Sequence, residues 1–395
     1  MTNLHIVVLI DALGWTYIKD REFLNDLLPY RQRVETVLGF SSGAIPTLLT
    51  GRPPAENGHW NLFYFDPKNS PFRWLKAFRW LPRPILDNRI SRKLVQIAGR
   101  RVLGLGPLFE CCVSPGLLPW FNWIEKKNIY EPGGITGAPS IFDELERRGV
   151  PYKVYSYHHQ RDADILKSAK ADVEQGDQQF LFLYLCEMDM FLHFHCNDEE
   201  KWTAKLQWYE QRLRDLFQTA LEKRPAATLT VLSDHGMAPV TGKYDLLGDI
   251  EKLGLKMPKD YLAVYDSTMA RFWFFNDNAR AAIRSCLETQ RCGRVLQREE
   301  LKSFGVHFED GRFGELIFLL NPGTLLARSD FNGKGWDPAG MHGYHPADAY
   351  SDAIYLTNRK PKYPVHQLQE IYANIHDAVF ERDATRQTVA NEVSA

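Results

Sequence analysis

The chain contains no run of about 18 apolar residues, the length a helix needs to cross a bilayer, so no transmembrane helix is expected. Cysteine is scarce. Cys111, Cys112, Cys186, Cys196, Cys286 and Cys292 show no C-x-x-C spacing and no zinc-finger pattern, and they read as free thiols in a reducing compartment. A net charge of −1 gives the whole chain no electrostatic claim on a nucleic-acid polymer, and none is expected as a partner. No internal repeat or low-complexity tract is visible. The opening segment, MTNLHIVVLIDALGW, is too short and wrongly flanked for a signal peptide. The chain therefore reads as cytoplasmic. No feature of the sequence sets an oligomeric state.

What is present is enough apolar residue for a large core. At 395 residues and 44% hydrophobic, the chain exceeds what one core usually holds. One large α/β domain carrying insertions, or two domains, is expected. Residues 5–10 (HIVVLI) form a β-branched apolar run, read as a buried parallel strand with Asp11 at its C-terminal end, where α/β sheets place their ligands. Ser140 reads as a helix N-cap, with Asp143 three residues on and Gly149 as the stop. VPYKVYSY then reads as a strand, 160–175 as a polar helix and QQFLFLYLCEMD as a long buried strand. Residues 200–224 carry Trp202, Leu206, Tyr209, Leu213 and Phe217 at helical spacing. ATLTVLSDHG reads as a further buried strand ending on Asp234. Alternating strands and helices predict a mostly parallel sheet between helical layers.

Two stretches break that rhythm. Residues 67–134 hold twelve Lys and Arg against four Asp and Glu, with Trp74, Trp80, Trp120 and Trp123 among them. They read as a basic, Trp-rich cap. Residues 246–335 contain the strand-like runs MARFWFF and GELIFLL and a helix near 277–290, and read as a smaller α+β insertion. The core is then 1–66, 135–245 and 336–385. From about 384 the chain is polar and expected to fray.

Four short segments carry ligand-type residues: Asp11, Asp189 with His193, Asp234 with His235, and His342 in GMHGYH. A serine pair, Ser41–Ser42, falls between the first two. A hydrolytic two-metal centre needs carboxylates and imidazoles converging on ions about 4 Å apart, one activating a hydroxyl nucleophile. The adjacent Asp234 and His235 would put two ligands on one turn. Asp189 and His193 would lie one helical turn apart, or come from one loop. Gly340 and Gly343 suit a tight loop around His342. All four segments occur in one chain around a serine-rich turn, and their combination carries the reading.

With these motifs the chain resembles the alkaline phosphatase superfamily, and within it the type I phosphodiesterase/nucleotide pyrophosphatase branch. That branch has T-F-P-N-x-x-T-L-x-T-G around its nucleophile. Here Ser41 through Gly51 reads SSGAIPTLLTG, which fits without gaps and puts Ser41 on the nucleophile position. The family's D-x-x-x-H corresponds to Asp189 and His193, its S-D-H-G-M to Ser233 through Met237, and its H-G-Y to His342 through Tyr344. The resemblance implies an alkaline-phosphatase-like α/β core with cap insertions and two divalent ions, zinc first and manganese second. It implies that Asp11, Ser41, Asp234 and His235 surround one ion and that Asp189, His193 and His342 hold the other. The implied reaction is hydrolysis of a phosphodiester or pyrophosphate through a covalent seryl-phosphoryl intermediate. A phosphomonoesterase, a phosphoryl-group transferase or a non-catalytic binding protein on the same fold are the alternatives.

The chain departs from the pattern in places. Ser41, Gly43 and Ala44 stand where the family usually has Thr, Pro and Asn. The family's phosphate-binding Asn falls in register on Leu62, which leaves the adjacent Asn61 as the substrate-binding candidate. Sulfatases need Pro and Arg where this chain has Gly43 and Ile45. Alkaline phosphatases proper place Asp where Phe40 stands. His158, His159, His195 and His345 lie near the motifs without an assigned role. Mixed Arg and Trp in the cap suit an anionic, phosphate-containing small molecule or lipid as substrate. They also suit peripheral contact with an anionic membrane surface.

Overall fold

The computed structural model describes residues 3–78, 80–106, 109–156, 161–331 and 337–380. His158, His159 and the tail from 384 lie outside the described residues. At the centre is a six-stranded sheet, ordered Tyr30–Val34, Ala353–Thr357, Thr228–Leu232, His5–Ile10, Phe180–Leu185, Tyr152–Tyr155. The last four run parallel to one another. Ala353–Thr357 joins them antiparallel and carries Tyr30–Val34 on its outer side.

Both faces are covered, as continuous apolar strands require. Along His5–Ile10 the side chains alternate. Ile6, Val8 and Ile10 pack with the helices Asp162–Gln175 and Glu199–Lys223. Val7 and Leu9 pack with Leu48 and Leu49 of the helix Ser41–Thr50 and with Phe142 of Ile141–Arg147. Ser140 caps that last helix in a reciprocal capping box with Asp143, as its sequence predicts. The Thr-Gly that ends the serine segment also has a physical reason. Gly51 closes its helix with φ +65, and a Cβ there would meet Tyr372 at 2.9 Å.

One element differs from expectation. The strand expected over QQFLFLYLCEMD stops at Leu185, and the helix Glu187–His195 begins at once. The cause is Asp162, whose carboxylate accepts the backbone N–H of Cys186 at 3.0 Å and of Glu187 at 3.2 Å. Those bonds satisfy first-turn donors of the new helix from outside.

Beyond the central sheet, Tyr261–Asp266, Met269–Phe274, Leu316–Leu320 and Gly293–Val295 form an antiparallel sheet. One face packs on Ala279, Ile283 and Leu287 of the helix Asp277–Glu288. The other presents Leu262, Val264 and Trp273 to Phe72, Val95, Phe109 and Trp123. The basic segment and the α+β segment therefore share one apolar core. Arg271 ties the α+β segment to the core stretch as well: it pairs with Asp266 at 2.6 Å, fully buried, and donates to the Phe63 carbonyl at 2.9 Å. Among the described residues no helix is long and apolar enough to cross a membrane.

Candidate active site

The C-terminal ends of three parallel strands deliver the acidic residues. Asp11 follows His5–Ile10 directly, its N–H bonded to Leu185 O at 3.0 Å. Asp234 and His235 follow Thr228–Leu232. Asp189 and His193 lie one helical turn apart on Glu187–His195, which settles the choice between helix and loop. Ser41 is the first residue of its helix, next to the extended Phe40.

These side chains converge. His235 Nε2 lies 3.2 Å from Asp234 Oδ2, 3.6 Å from Asp11 Oδ1 and 2.9 Å from Ser41 Oγ. His342 Nε2 stands 3.5 Å from Asp189 Oδ1, and His193 Nε2 lies 3.4 Å from Asp189 Oδ2. The rings of His235 and His342 stack at 3.9 Å, which joins the two groups. Two clusters have ligand atoms within 4.8 Å of one another: Asp11, Asp234 and His235, and Asp189, His235 and His342. His193 reaches the second cluster through the far oxygen of Asp189, so His235 stands in both groups and His193 at one edge.

The surroundings aim the ligand atoms. His193 Nδ1 donates to Gly340 O at 2.8 Å and His235 Nδ1 to Gly236 O at 2.9 Å. A carbonyl can only accept, so each Nδ1 carries the proton and each Nε2 faces the site. With its Nε2 bare, His235 accepts from the Ser41 hydroxyl. Ala12 N–H holds Asp234 Oδ1 at 3.2 Å, and Tyr184 OH donates to Asp11 Oδ2. Each carboxylate thus has one oxygen tied down and one left over. The Gly340–Gly343 loop is equally constrained. Gly343 has φ +87, and a Cβ there would meet Phe40 at 2.7 Å and Thr268 Oγ1 at 2.8 Å. Thr268, from the hairpin of the second sheet, donates toward His342 O at 3.2 Å and Gly343 O at 3.0 Å.

The serine pair divides by geometry. Ser42 Oγ is buried and donates to Trp60 O at 2.6 Å. Ser41 Oγ faces His235. Asn61 is buried beside Trp60, with its amide 3.9 Å from Met269 Sδ, and no hydrogen bond joins it to Ser41. His195 packs tilted against Phe191 with ring centroids 4.7 Å apart, and His345 meets Phe304 edge to face at 5.2 Å, so both are engaged outside the cluster.

The electrostatics leave the site short of positive charge. Burial, then the facing Asp234 and Asp189, hold the Asp11 carboxyl well above its usual range. Burial also opposes ionisation of Asp189, but the charge and hydrogen bond of His193 outweigh it and hold the group down. His193 is itself raised, against its burial, by Asp189. Burial, with His235 beside it, holds His342 well below the imidazole range. Asp11 Oδ1, Asp234 Oδ2, Asp189 Oδ1 and His342 Nδ1 are buried without a hydrogen-bond partner, although such atoms are normally satisfied. Three close carboxylates with unpartnered oxygens and aimed imidazole nitrogens fit divalent cations.

Tyr184, Thr268, Asp162 and Ala12 support this site and were not among the residues the sequence reading singled out. The family model for type I phosphodiesterase / nucleotide pyrophosphatase matches residues 5–345. Human ectonucleotide pyrophosphatase / phosphodiesterase 5 superposes with a TM-score of 0.67 at 14% identity, covering 96% of this chain and 95% of that one. The murine protein gives 0.65 at 16%, with the same coverage. An inactive variant of the murine protein in complex with AMP gives 0.65 at 16%, covering 95% of each chain. No curated protein sequence matches the chain. At these identities the solved structures show the fold, an alkaline-phosphatase-like α/β core with a mostly parallel sheet.

Proposed function

Because the chain belongs to the type I phosphodiesterase/nucleotide pyrophosphatase family, a family of metal-dependent hydrolases of phosphoric ester bonds, we propose that it cleaves a phosphodiester or pyrophosphate through a covalent intermediate on Ser41. One observation carries this reading. Ser41 Oγ lies at a helix N-terminus, 2.9 Å from His235 Nε2, while its neighbour Ser42 is bound away to Trp60 O.

Asp11, Asp234 and His235 would hold one divalent cation with Ser41 beside it, and Asp189, His193 and His342 a second. Three imidazoles favour zinc, with manganese as the second choice. Such cations would supply Lewis-acid chemistry, lowering the pKa of the serine hydroxyl and drawing charge from the phosphoryl oxygens. The residues do the rest. Ser41 Oγ, its proton lost to solvent, attacks phosphorus in line, the Oγ–P bond forms, and the leaving oxygen departs with the bond's electron pair. Water then attacks the same phosphorus and returns Ser41. Ser41 stands at the positive N-terminal end of the helix Ser41–Thr50, which would favour the developing negative charge. Asn61 is proposed as a further phosphate contact.

The substrate is a phosphate-containing small molecule; the AMP held by the murine relative supports a nucleotide-like one. Six free thiols support a reducing, cytoplasmic setting. Turnover of bis-p-nitrophenyl phosphate, p-nitrophenyl phosphate and nucleotide-sugars, with elemental analysis of the same sample, tests the reading. Two bound divalent ions and fastest cleavage of the diester or pyrophosphate are expected. A protein with no metal, and no activity after Zn²⁺ or Mn²⁺ addition, would overturn it.

A further inference from the structure

The cap helix Arg89–Arg101 is apolar on two sides. Val95 and Gly99 face inward, so tightly that a Cβ on Gly99 would stand 2.4 Å from Phe109. On the opposite side Ile90, Leu94 and Ile97 are 74%, 62% and 41% exposed. Their i, i+4, i+7 spacing makes one outward stripe. The helix is well anchored: Asn88 caps it by accepting from Ile90 N and Ser91 N. Arg89 and Lys93 line one flank of the stripe, and Arg101 continues it; all three are exposed, while Arg100 on the same flank is bonded to Phe109 O at 2.8 Å and faces Glu110 at 4.0 Å.

The preceding segment repeats the chemistry. Trp74, Phe78, Trp80 and Ile85 are 41%, 41%, 75% and 55% exposed, and Arg73 and Lys76 are exposed among them. Asp87 is the only acidic residue from 73 to 102, and it is paired with Arg92 at 2.7 Å. A soluble monomer rarely leaves an aliphatic stripe and aromatic rings together in water. Aliphatic residues flanked by Lys and Arg, with Trp beside them, are the composition of helices that lie in a bilayer interface. There the rings sit among headgroups, the aliphatic chains enter the acyl boundary, and the basic groups meet anionic phosphates.

We propose that this face of the cap docks the enzyme peripherally on an anionic lipid bilayer. The occupant follows from charge complementarity: the surface is basic while the chain as a whole has a net charge of −1. None of these residues belongs to the acidic and imidazole cluster, so the proposal stands whatever ester the enzyme cleaves.

The test is co-sedimentation of the full-length protein with vesicles of phosphatidylcholine alone and of phosphatidylcholine with phosphatidylglycerol, at low and high salt. The wild type should pellet with the anionic vesicles, less at high salt, and remain in solution with the neutral ones. Replacing Arg89, Lys93 and Arg101 by Gln should weaken binding by about 10²-fold, at roughly fivefold per basic residue near the surface. Ile90→Gln with Leu94→Gln and Ile97→Gln should weaken it by at least about 10²-fold, from the lost apolar burial. Both variants should keep the wild-type circular dichroism and turnover of bis-p-nitrophenyl phosphate, since no altered side chain is in the core or the site. Failure of the wild type to pellet with anionic vesicles overturns the proposal, as does equal pelleting of the variants. So does a wild-type dimer that the apolar variant dissolves without any vesicle binding, which would assign the face to a second copy of the chain.

Discussion

Replacing each serine of the pair separately tests the catalytic reading most directly, because the structure gives adjacent hydroxyls different work. Ser41 Oγ meets His235 Nε2 at 2.9 Å inside the acidic cluster. Ser41→Ala removes the atom that would bond to phosphorus. Losing the covalent step should lower turnover by at least about 10³-fold, a barrier increase of about 4 kcal/mol. Metal content should not change, since the three carboxylates and three imidazoles remain. Folding stability should barely move, because Ser41 is half-buried and makes no structural bond to the backbone.

Ser42 is the reverse case. Its buried hydroxyl donates to Trp60 O at 2.6 Å. Ser42→Ala leaves that carbonyl unsatisfied at a cost of about 1–2 kcal/mol of stability, while turnover should fall less than about tenfold. Bis-p-nitrophenyl phosphate hydrolysis, elemental analysis and urea unfolding on both variants supply the three readouts. A Ser42 variant that is inactive and stable, beside a Ser41 variant that is active, would refute both the register and the division of labour.

Other expectations concern the groups around the cluster. Tyr184→Phe removes the donor that holds Asp11 Oδ2 and should weaken metal binding by about 10-fold or more, measured by competition with a chromophoric chelator. Thr268→Val frees the loop carrying His342 and should likewise cost about 10- to 100-fold in metal affinity, with the fold intact by circular dichroism. The Asp162 carboxyl is raised by burial from 3.8 to about 6, so the folded state binds its proton more tightly than the unfolded chain. Its ionisation therefore costs stability as pH rises from about 4 to 6, by roughly 3 kcal/mol. Asp162→Asn should abolish that decline, so urea unfolding across pH 4 to 7 should show the variant gaining about that much on the wild type; a constant difference would contradict the linkage.

How much of this was legible follows from the range over which each interaction acts. The buried strands could be read because β-branched and aromatic runs such as HIVVLI and FLFLYL record burial on both faces. The candidate metal-binding residues could be picked out because carboxylates and imidazoles gather after the buried strands: Asp234 with His235, and Asp189 four residues before His193. What supports them could not. Tyr184 sits in an apolar run where nothing marks its hydroxyl as aimed at Asp11, 173 residues away in the chain. Asp162 looks like one more polar residue of a polar helix, yet it sets where the helix of Asp189 and His193 begins. Thr268 lies in a segment read as an insertion apart from the site, and its hydroxyl reaches the backbone of His342. These contacts have no sequence period, because each joins segments that only the completed fold brings together. The same reasoning explains the cap. Its basic and aromatic content was plain, but the helical spacing of Ile90, Leu94 and Ile97 matches that of any core-facing stripe. Only the packing of Val95 and Gly99 onto Phe109 shows that the core has already taken the other side of this helix and left that stripe in water.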